Sequence, residues 1–387
     1  MKEINFLWRE SYIDFFWATE TTAKTYFIDS GYLIYDNGIL SAYATDKEIE
    51  MSLLSTKHLI DSPEDILVIK KHFKEVKNKI DTYHKVFSNI KLEKITNKDL
   101  YNIFLDISDI YRDFISAYRF TEPHMIDHVE SKIKRIVNKN FKKNSNKVLA
   151  DILSNPNSIN NYKLEKNKNI FNLVSEVAKI RFKAKKLTDD LSEDAEGLLF
   201  ETSRRTNFAV NQISSMSIKE IEDILVNKKD VDIYQINKRV KSFGLSIKVS
   251  NSGVKITPVS DKKIKDIEST FTDSSKIIKG DSVYPGVVKG DVRIVPKLFS
   301  QKEYDKFIST LKKTDIIVAA MTSPAITNAF SLVKGVVTDE GGLMSHAALV
   351  SREKKIPCVV GTRNSTLKLK DGDRIELNAD DGIITII

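Results

Sequence analysis

Glycine is scarce through most of this chain. Of 14 glycines in 387 residues, only Gly31, Gly38, Gly197, Gly244 and Gly253 lie within residues 1–270. A long stretch without glycine excludes a loop-rich or nucleotide-cradling texture there and favours helices. Cysteine is almost absent. The single Cys358 excludes an internal disulfide, and its setting in Ile356-Pro357-Cys358-Val359-Val360 predicts a buried, inert thiol in a reducing compartment. No stretch approaches the roughly 20 uninterrupted apolar residues a membrane-spanning helix needs. The charged start Met1-Lys2-Glu3-Ile4-Asn5-Phe6 lacks the apolar core of a signal peptide, so a cytoplasmic location is expected. The chain also lacks any long basic block. Its net charge of +8 comes from lysines scattered among aspartates and glutamates. The richest stretch, Lys134–Lys143, has the pattern of an exposed helix side, which argues against direct nucleic-acid binding.

What remains is a soluble globular composition, 41% hydrophobic and 29% charged, in a chain long enough for two or more domains, each with its own core. Apolar spacing of three and four predicts helical faces. One is formed by Leu67, Ile69, Phe73, Val76, Ile80 and Tyr83, and another by Leu100, Ile103, Phe104, Ile107, Ile110 and Tyr111. A shorter one comprises Ile218, Ile221, Ile224 and Leu225. The Asn- and Lys-rich segment Ser154–Asn169, with Pro156, is expected to be a surface connection. Gly31–Ala44 is expected to be an irregular excursion, and alternation near Leu245–Thr257 predicts a small β element.

From Gly280 the texture changes, with nine glycines in the last 108 residues. Short apolar runs at Val283–Val295, Asp315–Ala320, Gly335–Asp339 and Pro357–Thr362 predict strands, followed by a closing pair at Asp371–Asn378 and Asp381–Ile387. Strands alternating with helices predict an α/β domain of about 110 residues. The expected organisation is multidomain, α plus α/β, with a mainly helical domain over 1–272 and an α/β domain over 273–387.

The most informative segment is Thr338-Asp339-Glu340-Gly341-Gly342-Leu343-Met344-Ser345-His346, which runs on through Ala347 to Glu353. Two glycines let the backbone turn and approach a ligand closely. Ser345 is a favourable helix N-cap, which puts His346 in the first helical turn. Free N–H groups and the helix dipole favour negative charge at that point. A neutral imidazole is a competent nucleophile. The combination is suited to holding a phosphoryl group on His346.

Tyr284-Pro285-Gly286-Val287-Val288-Lys289-Gly290 precedes that segment, as does Thr322-Ser323-Pro324, and Arg352-Glu353, Ile356–Thr362 and Asp371-Gly372-Asp373 follow in order. The series resembles the swivelling phosphohistidine domain of phosphoenolpyruvate-utilising enzymes, a group including phosphoenolpyruvate synthase, pyruvate phosphate dikinase and rifampicin phosphotransferase. The resemblance implies a swivelling β/β/α domain in which His346 carries a phosphoryl group between distant sites. Gly341, Gly342 and Ser345 would shape its phosphate pocket, with Thr322 and Arg352 as further phosphate contacts. Thr121-Glu122-Pro123, Phe200–Arg205, Ile218–Leu225 and Arg239 faintly resemble the helical domain of rifampicin phosphotransferase-like proteins, which holds the acceptor.

Residues 1–270 lack the glycine-rich, lysine-bearing loop of an ATP-grasp domain, and no phosphoenolpyruvate-binding barrel is expected after Gly382. The expected partner is therefore a separate ATP-grasp subunit that binds Mg²⁺ and ATP, or a phosphoenolpyruvate-binding protein, with a small molecule as acceptor. Two alternatives remain: a non-catalytic docking or regulatory protein retaining the domain, and a nucleic-acid-binding helical domain fused to a relic. His124 and His128 with Asp127 and Glu130 have helical spacing, but lack the glutamate directly after the first histidine that a zinc-protease motif requires, so no metal site is expected. Arg204 and Arg205 near Glu201 predict a surface salt bridge, or alternatively a contact to an anionic substrate.

Overall fold

A computed structural model describes residues 4–11, 26–36, 39–57, 65–271, 275–296, 301–322 and 324–387, with positions 16, 17, 19 and 23. The chain opens in a sheet. Strands β1 (Ile4–Ser11), β2 (Ser30–Asp36) and β3 (Ile39–Thr45) join β4 (Ser242–Ser250) and β5 (Gly253–Pro258). They form an antiparallel sheet of order β1-β3-β2-β4-β5. The β element predicted near Leu245–Thr257 is the β4–β5 hairpin. The segment Gly31–Ala44 is not irregular. It is the β2–β3 hairpin, with Gly31 opposite Ala44 and Asp36 opposite Ile39. Asn37-Gly38 between them is a sequence signal for a two-residue hairpin.

A helical body follows: α1 (Asp46–Thr56), α2 (Asp65–Phe87), α3 (Asn97–Tyr118), α4 (Pro123–Phe141), α5 (Ser145–Ser154) and α6 (Lys168–Arg205). Thr96 and Asp99 cap α3 reciprocally, and all six apolar residues predicted for its face are buried. On α2, Ile69, Phe73, Val76 and Ile80 are buried, but Leu67 is exposed and Ile66 takes its place. The stripe 66-69-73-76-80 keeps the three–four spacing, and Leu67 lies one residue, about 100°, around the helix from it. The Ser154–Asn169 segment forms 3₁₀ turns that bury Ile159 and Leu164, so it is a packed connection and not only a surface one. Short helices α7 (Val210–Ser214), α8 (Ile218–Glu222) and α9 (Ile233–Lys241) complete this body. Ile221 is buried on α8, and Leu225 is buried in the π-helical turn that follows. Helix α10 (Asp261–Ser269) leads toward the C-terminal region. The expected boundary, 272/273, lies outside the described residues.

The C-terminal region contains β6 (Ile277–Lys279), β7 (Asp281–Tyr284), β8 (Val287–Ile294), α11 (Gln301–Ser309), β9 (Asp315–Ala319) and β10 (Gly335–Thr338). After them come α12 (His346–Lys354), β11 (Cys358–Val360), α13 (Ser365–Lys368), β12 (Arg374–Asn378) and β13 (Ile383–Ile386). The eight strands make one sheet of order β6-β13-β12-β8-β9-β10-β11-β7. Strands β8 to β11 run parallel and the remaining pairs antiparallel. Every residue of β9, β10 and β11 is buried, as expected for parallel strands covered on both faces. Cys358 is among them, and burial pushes its thiol up to about 12, which makes it inert. The architecture is multidomain, α plus α/β, with a five-stranded sheet added to the helical part.

One apolar cluster covers one face of the eight-stranded sheet. It runs without a break from Phe104, Ile133 and Val174 in the helical body to Val336, Leu343, Met344 and Ala347. A second, with Val292, Ile316, Val318, Ile375 and Leu377, covers the other face. Phe104 is fully buried and packs edge-on against Trp17, with ring centroids 5.3 Å apart. Phe104→Ala is expected to destabilise the chain by about 3–5 kcal/mol, read as a lower urea midpoint.

Candidate functional site

Strands β9 and β10 are parallel neighbours, with Ala319 opposite Thr338. Their carboxyl ends therefore open into adjacent loops, the usual location of ligand sites in open α/β sheets. The loop after β9 carries Thr322, and the loop after β10 carries Gly341, Gly342 and Ser345 and leads into α12. Ser345 is the N-cap, its Oγ accepting from the Ala348 N–H at 3.2 Å, so His346 is the first helical residue. Removing that cap with Ser345→Ala is expected to cost about 1 kcal/mol, measurable as a small drop in thermal midpoint. Gly341 has φ +124°, and a Cβ there would lie 2.9 Å from Ser345 Oγ, so only glycine fits beside the cap.

The loops converge on the imidazole. Thr322 Oγ1 is 2.9 Å from His346 Nδ1, and Thr327 Oγ1 is 3.4 Å from Nε2. The Thr322 contact fixes the ring's rotation, and the Thr327 contact is the longer of the two. Both ring nitrogens thus face hydroxyls, which can donate or accept.

Phosphorylation requires ring access, yet His346 is only 7% exposed. The helical body covers it. Phe182 of α6 stacks on the imidazole, with centroids 5.6 Å apart and planes 15° from parallel. Beside Phe182, Arg181 is buried and paired with Glu340, the residue before the glycine pair. Arg181 also donates to the Thr121 carbonyl at 2.8 Å and lies over the Tyr118 ring at 5.3 Å. Tyr118, Arg181, Thr322, Glu340, Ser345 and His346 enclose a gap with room for about a single water molecule.

The glycine pair is also occupied. Glu130 of α4 accepts the Leu343 N–H at 3.1 Å, and a Cβ on Gly342 would come within 2.5 Å of its carboxylate. Burial pushes Glu130 up to about 7, opposed by Lys134 and the Leu343 N–H. Lys134 bridges to Asp281 at 2.8 Å, and Asn146 donates to the Asp380 carbonyl at 2.7 Å. These contacts also join the two regions.

Of the residues singled out in the sequence, His346, Thr322, Ser345, Gly341 and Gly342 converge at one site. Arg352 lies beneath the loop, where its Nη1 donates to the Leu343 carbonyl at 2.9 Å. Burial pulls its guanidinium down to about 10. Arg204 and Arg205 both pair with Glu201, and Arg205 also reaches Asn97 and the Leu92 carbonyl. They lie at the Asn97 end of α3, whereas Tyr118 at its other end lines the gap beside His346. At 1.5 Å per residue, the separation is roughly 30 Å. Among the described residues, no group of three or more His, Cys, Asp or Glu side chains is arranged to hold a metal. No helix among them is long and apolar enough to cross a membrane. Phe182, Arg181, Glu340, Glu130 and Thr327 were not singled out as site residues by sequence. Glu340 sat inside the motif, and Arg181-Phe182 is an ordinary dipeptide in a 38-residue helix.

The C-terminal region is similar to the mobile domain of phosphoenolpyruvate-utilising enzymes. Residues 311–382 match the family model described as PEP-utilising enzyme, mobile domain. The probable phosphoenolpyruvate synthase of Archaeoglobus fulgidus is 37% identical over 126 residues, 32% of this chain and 16% of that protein. The rifampicin phosphotransferase of Bacillus cereus is 37% identical over 113 residues, 29% of this chain and 12% of its own length. The match thus spans well under a fifth of each relative. A solution structure of Enzyme I aligns over 76% of this chain and 81% of its own, at 18% identity and a TM-score of 0.20.

Proposed function

We propose that this chain is a phosphotransferase component in which His346 carries a phosphoryl group from a nucleotide- or phosphoenolpyruvate-binding partner to an acceptor. In this reading residues 273–387 are the carrier, and residues 1–272 form the acceptor or partner-binding domain. The supporting observation is the imidazole itself, at the start of a capped helix, held at Nδ1 by Thr322 within the matched segment. With Nδ1–H donating to Thr322 Oγ1, the Nε2 lone pair is the nucleophile, and the Thr327 hydroxyl turns aside to admit the phosphorus. The N–P bond forms as the donor's P–O bond breaks, and that electron pair leaves with the donor. Nδ1 keeps its proton against Thr322. Free N–H groups at the helix start and the dipole of α12 favour the added charge. Mg²⁺ belongs with the donor nucleotide on the partner, where it would neutralise the phosphates.

Phe182 covers the ring, so in this reading the structure represents the carrier docked against the helical body, and loading requires the two to separate. The test incubates the full chain with a cognate nucleotide-binding partner and radiolabelled ATP. An acid-labile label on the wild type that disappears in His346→Ala is the expected result. Equal labelling of both chains would remove His346 from the role. A docking or regulatory protein is the second reading, favoured by that same burial. It predicts no label on His346 from any donor and unchanged partner binding in His346→Ala.

A further inference from the structure

The covered state places an arginine from the helical body beside the proposed carrier. Arg181 and His346 line the same water-sized gap, with Phe182, the next residue, stacked on the imidazole. Both Arg181 and its partner Glu340 are nearly inaccessible to solvent. Burial opposes the guanidinium's charge, but Tyr118 and the acidic groups around it, Glu340 among them, outweigh that, and the net direction is upward. A phosphoryl group on a ring enclosed this way would bring close to two negative charges into surroundings with room for about one water. Such a group stays docked only if a cation meets it.

We infer that Arg181 is the residue that receives the phosphoryl group of phosphorylated His346 in the docked state, exchanging Glu340 for the phosphoryl oxygens. The inference rests on the carrier reading and adds to it the helical-body residue that contacts the transferring group. Three features support it. Arg181 is already held in place by the Thr121 carbonyl and the Tyr118 ring, so the exchange moves only one of its contacts. Planar guanidinium matches phosphoryl oxygens in two-pronged geometry better than it matches one carboxylate oxygen. Glu340 is followed by the two glycines, so its backbone can release it. The Lys134–Asp281 and Glu130–Leu343 contacts hold the two regions together while the exchange occurs.

The experiment needs no natural donor. Potassium phosphoramidate phosphorylates histidine: the imidazole nitrogen takes the PO₃ group, the P–N bond breaks, and ammonia leaves with the proton the ring gives up. Phosphorus NMR then follows the phosphohistidine resonance across neutral pH in the full chain. With Arg181 in contact, the phosphoryl group should lose its last proton at lower pH than in the urea-unfolded chain. Arg181→Gln should raise that midpoint by roughly one unit or more, and Glu340→Gln should lower it. Arg181→Gln takes the guanidinium away from buried Glu340 and risks misfolding, so Arg181→Met with Glu340→Met is made alongside it. The paired change removes both charges; the lost cation should still raise the midpoint, by less than in Arg181→Gln because the lost carboxylate lowers it. Identical midpoints in the wild type and both Arg181 variants would overturn the inference while leaving the carrier reading intact. A wild-type spectrum no different from that of His346→Ala would overturn the carrier reading, and this inference with it.

Discussion

Gly341→Val is expected to lower the unfolding free energy by roughly 2–6 kcal/mol and to displace His346 from Thr322. Two costs combine. At φ +124° a β-branched residue is forced into a region of backbone space it rarely adopts. Its Cβ would also stand 2.9 Å from Ser345 Cβ and Oγ and 3.3 Å from Val360 Cβ, in the crowded corner between the helix cap and β11. The second cost acts directly on the site. Ser345 must move to relieve the clash, and the first turn of α12, which carries the imidazole, moves with it. Urea unfolding measures the stability loss, and phosphorylation by phosphoramidate measures the site. A variant within about 0.5 kcal/mol of the wild type would show that the loop relaxes freely and that Gly341 is not required by its geometry.

The second large effect is a loss of stability as pH rises from about 5 to about 8. Burial pushes Glu122 up to about 8, against the pull of Tyr26, Arg181 and Arg119, and pushes Glu130 up to about 7. Both values lie above the ordinary 4.5 of an exposed glutamate. Below that pH the folded and unfolded chains hold the same protons, and the contribution of these residues is complete. Above it the unfolded chain ionises freely, while the folded chain keeps its carboxyls neutral until the pH passes about 7 and then about 8. Stability therefore declines across that window. For Glu122 alone the difference corresponds to on the order of 5 kcal/mol at its upper end. Glu122→Gln, which can still accept from the Tyr26 hydroxyl, is expected to flatten the profile and to stabilise the chain most at the alkaline end. A wild-type urea midpoint that is flat or rises between those pH values would contradict it.

Much of the fold could be read from the sequence, for physical reasons that particular residues illustrate. Leu100 to Tyr111 repeat at helical spacing because one face of α3 is buried, and Thr96 with Asp99 marks its start. The run Asp315-Ile316-Ile317-Val318-Ala319 reads as a buried strand because a parallel strand is covered on both faces. The hairpin at Gly31–Ala44 is hard to read from sequence although Asn37-Gly38 lies between its strands. Its strands are buried on both sides, so the polar–apolar alternation that identifies a half-exposed strand is weak. Leu67 lies off the buried face because apolar residues adjoin the stripe on both sides and only packing selects among them.

Chain neighbours determine a glycine turn, a cap and a nucleophile, because φ preference, N-cap hydrogen bonding and first-turn position depend on residues a few places apart. On that basis Gly341, Gly342, Ser345 and His346 were legible together. Thr322 followed from the ordered motif series. What surrounds the imidazole depends on tertiary structure. Phe182 and Arg181 lie more than 160 residues before His346, and nothing in their local pattern distinguishes them from other residues of a long amphipathic helix. Glu130 was legible only as part of a helical polar cluster, and in the fold it sits instead on the glycine loop. The sequence by itself determined that a phosphate-suited helix start exists, since short-range geometry suffices for that. Only the tertiary structure decided that it is covered, and by which residues, because burial and charge pairing across roughly half the chain depend on packing that no local pattern encodes.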